Sequence, residues 1–223
     1  MKKIGLLGGT FNPIHLGHLR AAEEICFRFE LHRVFFIPSA YPPHKKKEGI
    51  LDAPLRAEMV RRAIADNPRF AYSGVELERP GKSYSIETIE HFCRQFGSGT
   101  QVYFIVGLDA FLEIHTWKDY AALFRLCHFV VMTRPGFEKI FSREHLPVEL
   151  KDEFCYDTQK GGYAHPSGFC IYPAEVTAMD ISSTRIRQWV REGRSIKYLV
   201  PPVVEAFIHS QKLYLKKDIE AAG

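Results

Sequence analysis

The run Gly8-Gly9-Thr10-Phe11-Asn12-Pro13-Ile14-His15-Leu16-Gly17-His18 concentrates residue types that could handle phosphate. Paired glycines allow a tight turn from strand to helix and let a ligand come close to the main chain. His15 and His18 are three residues apart, so in a first helical turn their rings project from one face. A helix N-terminus presents unsatisfied N–H groups and the positive end of the dipole. Two imidazoles added there suit a phosphate that gains charge during reaction. Gly17 costs about 1 kcal/mol against alanine inside a helix, and a ligand base or ribose resting on that turn would explain it. The run is neither a P-loop, which would close on G-K-[ST], nor the spaced-glycine dinucleotide fingerprint. Taken alone, H-x-x-H also suits two surface histidines or one core histidine. Zinc finds no third ligand at a useful spacing.

A second segment, Ile181-Ser182-Ser183-Thr184-Arg185-Ile186-Arg187, pairs a hydroxyl cap with an apolar stripe of Ile186, Trp189 and Val190. The N–H groups, the hydroxyls and Arg187 would form another anion site; a plain capped surface helix has the same pattern. Other residues have two readings each. Asp109 could cap a helix or meet a ligand, and Ser85 could cap the helix it opens. Trp117 is a core or rim aromatic, or a flat face for a ring. Lys45, in His44-Lys45-Lys46-Lys47, reads by default as part of a solvated loop.

The elements that must position these residues follow from periodicity. Apolar runs alternate with amphipathic stretches, the pattern of crossover units on a parallel sheet. Strands are expected over Lys3–Leu7, Arg33–Pro38, Phe70–Val75, Gln101–Val106, Phe129–Thr133 and Phe169–Tyr172. Leu16, Leu19, Ala22, Ile25 and Phe29 give the first helix one apolar face. A second helix starts at Asp52 as cap and ends near Asn67-Pro68; a third runs from Ser85 to Phe96 with Gly97 as its stop. Two more cover Thr184–Glu192 and Pro202–Gln211. The stretch from Arg143 to Gly168, with Gly161-Gly162 and two prolines, reads as an irregular excursion or lid. The expected fold is α/β: a Rossmann-like, doubly wound parallel sheet flanked by helices, in one domain over residues 1–223, with 181–223 as a C-terminal helical part.

Composition narrows the class. The 223 residues are 46% hydrophobic and 25% charged, which is ordinary for a globular chain and argues against disordered, collagen-like and coiled-coil readings. At this size a core needs no disulfide or metal staple. Apolar runs fall far short of the roughly 20 residues of a membrane span, and the opening Met-Lys-Lys run stops at Gly8-Gly9, too early for a signal peptide. The net charge of +4 is mild, without the basic stripe of a nucleic-acid footprint. Five cysteines lack C-x-x-C spacing, so a reducing, cytoplasmic home is expected. A homo-oligomer is left open.

With both motifs in view, a resemblance appears. H-x-G-H preceded by G-G-T-F-x-P resembles the signature of the nucleotidyltransferase superfamily, and I-S-S-T-x-I-R resembles the segment with which it holds β- and γ-phosphates. Over nearly its whole length the chain resembles the bacterial nicotinate-nucleotide adenylyltransferases. Pro42-Pro43-His44-Lys45 resembles their loop whose lysine approaches phosphate. Lys82-Ser83-Tyr84-Ser85-Ile86-Glu87-Thr88-Ile89 resembles the stretch whose backbone, near Tyr84 and Ser85, reads the pyridine carboxylate. Val106-Gly107-Leu108-Asp109 followed by Trp117 resembles the element that sets an aspartate by the ribose and a tryptophan on the pyridine. Thr133-Arg134-Pro135-Gly136 resembles the turn whose arginine meets a substrate phosphate. Asn12 stands where many members have Asp, and Leu108 where a small residue is usual.

The resemblance implies adenylyl transfer from ATP to nicotinate mononucleotide, giving deamido-NAD and pyrophosphate, a step of NAD biosynthesis. His15, His18 and Arg187 would be catalytic. Gly8, Gly9, Thr10, Phe11, Gly17, Gly107, Asp109, Ser183 and Thr184 would bind ATP, and Lys45, Tyr84, Ser85, Trp117 and Arg134 the pyridine nucleotide. Magnesium would ride on ATP, with no metal site built from the protein. The rivals are phosphopantetheine adenylyltransferase, which is usually shorter and gives Trp117 no task, and a regulatory module that keeps the pocket without catalysis. A nucleic-acid-binding role for the basic loop and nearby aromatics is disfavoured, because those aromatics alternate as in buried strands.

Overall fold

The computed structural model describes residues 1–40, 49–133 and 141–215. One sheet organises them. Strands β1 (Lys2–Gly9), β2 (Arg33–Pro38), β3 (Phe70–Tyr72), β4 (Thr100–Gly107), β5 (His128–Thr133) and β8 (Cys170–Glu175) are parallel. With β6 (Cys155–Asp157) and β7 (Gly162–Ala164) they lie in the order β3-β2-β1-β4-β5-β8-β7-β6. The central parallel strands are buried on both faces; Ile4 to Leu7 and Val102 to Val106 are interior. Hence the unbroken apolar runs in the sequence, as parallel sheets covered on both sides require.

Two clusters fill the two faces. Helices α1 (Leu16–Arg28), α2 (Ala53–Ile64), α6 (Ser183–Arg191) and α7 (Pro202–Ser210) place Ile25, Met59, Ile186 and Ile208 in one. Helix α3 (Ser85–Phe96) and the short α4 (Leu108–Leu112) and α5 (Tyr120–Leu123) place Ile89, Phe92, Phe111 and Leu123 in the other. The doubly wound fold expected from the alternation is therefore present. Helix α3 matches its sequence bounds, and Gly97 ends it at a φ of 67°, a conformation glycine adopts without steric cost.

One expectation is corrected. Residues 143–168 are not irregular throughout: after two 3-10 turns, β6 and β7 form an antiparallel hairpin that extends the sheet beyond β8. Gly161, at a φ of 66°, lies in the turn between them. Among the described residues no helix is long and apolar enough to cross a membrane.

The feature that positions a site is the reversal of strand order. The chain runs outward from β1 through β2 to β3, then returns so that β4 lies on the other side of β1, with Leu7 beside Ile105. Ligands of such sheets bind at the C-terminal strand ends where the order reverses. There β1 ends at Gly9 and β4 at Gly107.

Candidate active site

The turn after β1 enters α1 through Phe11, whose φ is 47°, and a cis Asn12-Pro13 bond. Phe11 was expected at the nucleotide, but its ring is buried, edge-on to His18 with centroids 5.3 Å apart and 6.0 Å from Phe36. The ring thus supports His18 from the core side. Gly8, by contrast, has nothing within 4 Å of where a Cβ would stand, so a ligand can approach the main chain there.

His15 is the N-cap of α1, in extended conformation, and only 4% exposed. Its main-chain N–H donates to Nδ1 of His18 at 3.2 Å, and the two rings stack at 3.7 Å. Because Nδ1 of His18 accepts, the proton of the neutral ring belongs on Nε2. The pair is therefore a preset unit. Gly17 has a structural reason beside the ligand expected for it: a Cβ there would lie 3.1 Å from Nδ1 of His15. The glycine makes room for the histidine ring.

The second motif docks on the first, far apart though they are in sequence. Ser183 donates its hydroxyl to the Pro13 carbonyl at 2.8 Å, and Arg187 Nη1 donates to the Asn12 carbonyl at 2.8 Å. Arg187 also reaches Oγ1 of Thr184 at 3.3 Å. Ser182 is the cap, accepting from the N–H of Arg185. Half-burial lowers the pKa of Arg187 from its ordinary value, with Tyr214 opposing that; a guanidinium nonetheless stays charged. Two cationic or donor-rich helix starts, α1 and α6, thus converge on one turn.

On the neighbouring strand, Gly107 caps α4, and Asp109 in its first turn is exposed. A Cβ on Gly107 would stand 2.6 Å from Oδ1 of Asp109, so the carboxylate folds back over the end of β4. Leu108, partly buried, packs on the α3 side of the core.

Of the residues expected at the pyridine nucleotide, Tyr84, Ser85 and Trp117 are described. Tyr84, rather than Ser85, is the N-cap of α3, and no side chain caps the helix. Its opening N–H groups are of the kind that bind carboxylates. Trp117 follows a 3-10 turn, half-buried, edge-on to Phe104 at 6.0 Å. Lys118 ties the two pieces: its ammonium lies 4.7 Å over the Tyr84 ring and 2.8 Å from Oε1 of Glu87 in the first turn of α3. The 83–85 segment is anchored to the end of β2 by the bond from the Ala40 N–H to Ser83 Oγ. Lys45 and Arg134 lie outside the described residues.

Sequence reading missed Arg56. It projects from α2 with 1% exposure and donates to the carbonyls of Thr10 (2.7 Å), Ser39 (2.7 Å), Ala40 (3.3 Å) and Leu51 (2.8 Å). One guanidinium thereby binds the turn after β1 to the end of β2. An arginine in an amphipathic helix carries no local sign of such a role.

The chain is similar to several known proteins in sequence and in fold. The cytidylyltransferase-like family pattern matches residues 6–189. The "Probable nicotinate-nucleotide adenylyltransferase" of Geotalea uraniireducens (strain Rf4) is 50% identical over 95% of this chain and 98% of its own. Its namesake from Geobacter sulfurreducens is 48% identical over the same shares. In fold, the chain resembles the Plasmodium falciparum nicotinic acid mononucleotide adenylyltransferase complexed with NaAD, with a TM-score of 0.72 at 18% identity over 98% of both chains. The extent and level of these matches place the chain in the nicotinate-nucleotide adenylyltransferase family.

Proposed function

We propose that the turn after β1, with the start of α6 docked on it, transfers the adenylyl group of ATP to nicotinate mononucleotide. The observation that carries this reading is the convergence of the His15–His18 pair and Arg187 on one turn at the strand-order reversal. The phosphate oxygen of the mononucleotide attacks the α-phosphorus in line, the bond from that phosphorus to the bridging oxygen breaks, and pyrophosphate leaves with the electron pair. No enzyme nucleophile is needed, so positioning and charge neutralisation are the protein's contributions.

His15 and His18 serve the α- and β-phosphates. Thr184, Arg187 and the first N–H groups of α6 serve the triphosphate tail, while Ser183, whose hydroxyl is given to Pro13, holds α6 in place. Gly8, Gly9, Thr10, Gly17, Gly107 and Asp109 line the adenosine side. A magnesium ion brought on ATP would neutralise part of the charge gathered there. Trp117 stacks on the pyridine ring, Tyr84 and Ser85 present N–H groups to its carboxylate, and Lys45 and Arg134 meet the mononucleotide phosphate.

Selectivity tests the pyridine half. A ring carboxylate gains charge-assisted bonds at the start of α3, whereas an amide must set its NH₂ against a donor or turn away. Such mispairing costs about 1–3 kcal/mol, roughly a fivefold to hundredfold preference. Nicotinate mononucleotide is expected to exceed nicotinamide mononucleotide in kcat/KM by about tenfold or more. Equal kinetics with the two would remove Tyr84 and Ser85 from this role and leave the transfer chemistry standing.

A further inference from the structure

Asn12 is 3% exposed, and every polar group of its side chain is engaged. Nδ2 donates to the Gly49 carbonyl at 2.8 Å, and Oδ1 accepts from the Leu51 N–H at 3.3 Å and from the Tyr214 hydroxyl at 3.0 Å. Its main-chain carbonyl is the acceptor for Arg187 at 2.8 Å. An asparagine held from three directions presents that carbonyl rigidly. Tyr214 is the distant member of the set, 202 residues away and 5% exposed. It stands at a φ of 65°, a region that bulky residues occupy only when their surroundings enforce it.

We propose that Tyr214 is a positioning residue for adenylyl transfer: its hydroxyl fixes Asn12, and Asn12 through its carbonyl fixes the guanidinium of Arg187. This rests on the assignment of Arg187 to the triphosphate. Burial pushes the Tyr214 hydroxyl far above its ordinary range, with Arg187 and Arg56 pulling the other way. The group therefore remains protonated and donates throughout the working pH range. The C-terminal segment, which touches no substrate in this reading, thereby sets the aim of a residue that does.

The experiment is a double-mutant cycle between Tyr214→Phe and Arg187→Ala, assayed well below the thermal midpoints. Phenylalanine keeps the ring in the core and removes one hydrogen bond, a change of about fivefold when the bond is expressed in the rate. Tyr214→Phe is expected to lower kcat about fivefold and to leave KM for nicotinate mononucleotide within about twofold. In the Arg187→Ala background the same change should have almost no effect, because the group it aims is gone. Multiplicative losses would overturn the proposal, since they would assign Tyr214 to general stability. An unchanged kcat in Tyr214→Phe alongside a crippled Arg187→Ala would overturn it too and spare the assignment of Arg187. If Arg187→Ala itself matches the wild type, the triphosphate assignment fails and the relay with it.

Discussion

His18→Ala lowers kcat about a hundredfold while ATP affinity falls less than about tenfold. The basis is that a donor aimed at charge developing in the transition state is worth about 3 kcal/mol, and the tautomer of His18 is set for that task by the His15 N–H on Nδ1. The same substitution also removes the acceptor for that N–H, at the N-terminus of α1. A lost cap costs about 1 kcal/mol of stability, so a second variant separates the two effects. An asparagine in place of His18 would set an acceptor near the position of Nδ1 without an imidazole Nε2. His18→Asn is accordingly expected to recover the thermal midpoint and keep the rate defect. Steady-state kinetics with calorimetric ATP titration decides the matter: parallel losses of affinity and rate would contradict a transition-state role.

Arg56→Met should have the largest effect on stability. Methionine fills much of the volume, but the carbonyls of Thr10, Ser39, Ala40 and Leu51 lose the shared donor that a side chain with 1% exposure supplies. Buried groups stripped of a charged partner cost about 3–5 kcal/mol. In a chain of this size that corresponds to a fall of roughly 10 °C in the thermal midpoint. Arg56→Lys keeps a charge but cannot span carbonyls on both strand ends, so it should recover less than half of the loss. A midpoint within about 3 °C of wild type for Arg56→Met would show that the guanidinium is not what joins the turn after β1 to β2.

The contrast between His18 and Arg56 shows what local sequence conveys. The histidine pair is legible because its geometry is local: a glycine turn, a helix start and a spacing of three. Helix α3 is legible for the same reason, from its apolar stripe and the Gly97 stop. Arg56 serves carbonyls brought to it by three separate segments, and Tyr214 meets Asn12 across almost the whole chain; neither leaves a periodic trace. The β6–β7 hairpin was missed because its strands are three residues each, too short for alternation to show. Gly17 was noticed for its helix penalty, yet the ring it makes room for belongs to His15, two residues before it. A penalty marks a constrained position without naming what constrains it.

In the function proposed above, the His15–His18 turn and the α6 start together perform adenylyl transfer to a pyridine mononucleotide. Pyrophosphate release from ATP, followed with nicotinate mononucleotide or phosphopantetheine as the acceptor, tests it most directly. Pyrophosphate and deamido-NAD should form in equal amounts with nicotinate mononucleotide, and phosphopantetheine should leave ATP intact. Release with phosphopantetheine alone, or ATP binding without release in the presence of nicotinate mononucleotide, would contradict the account.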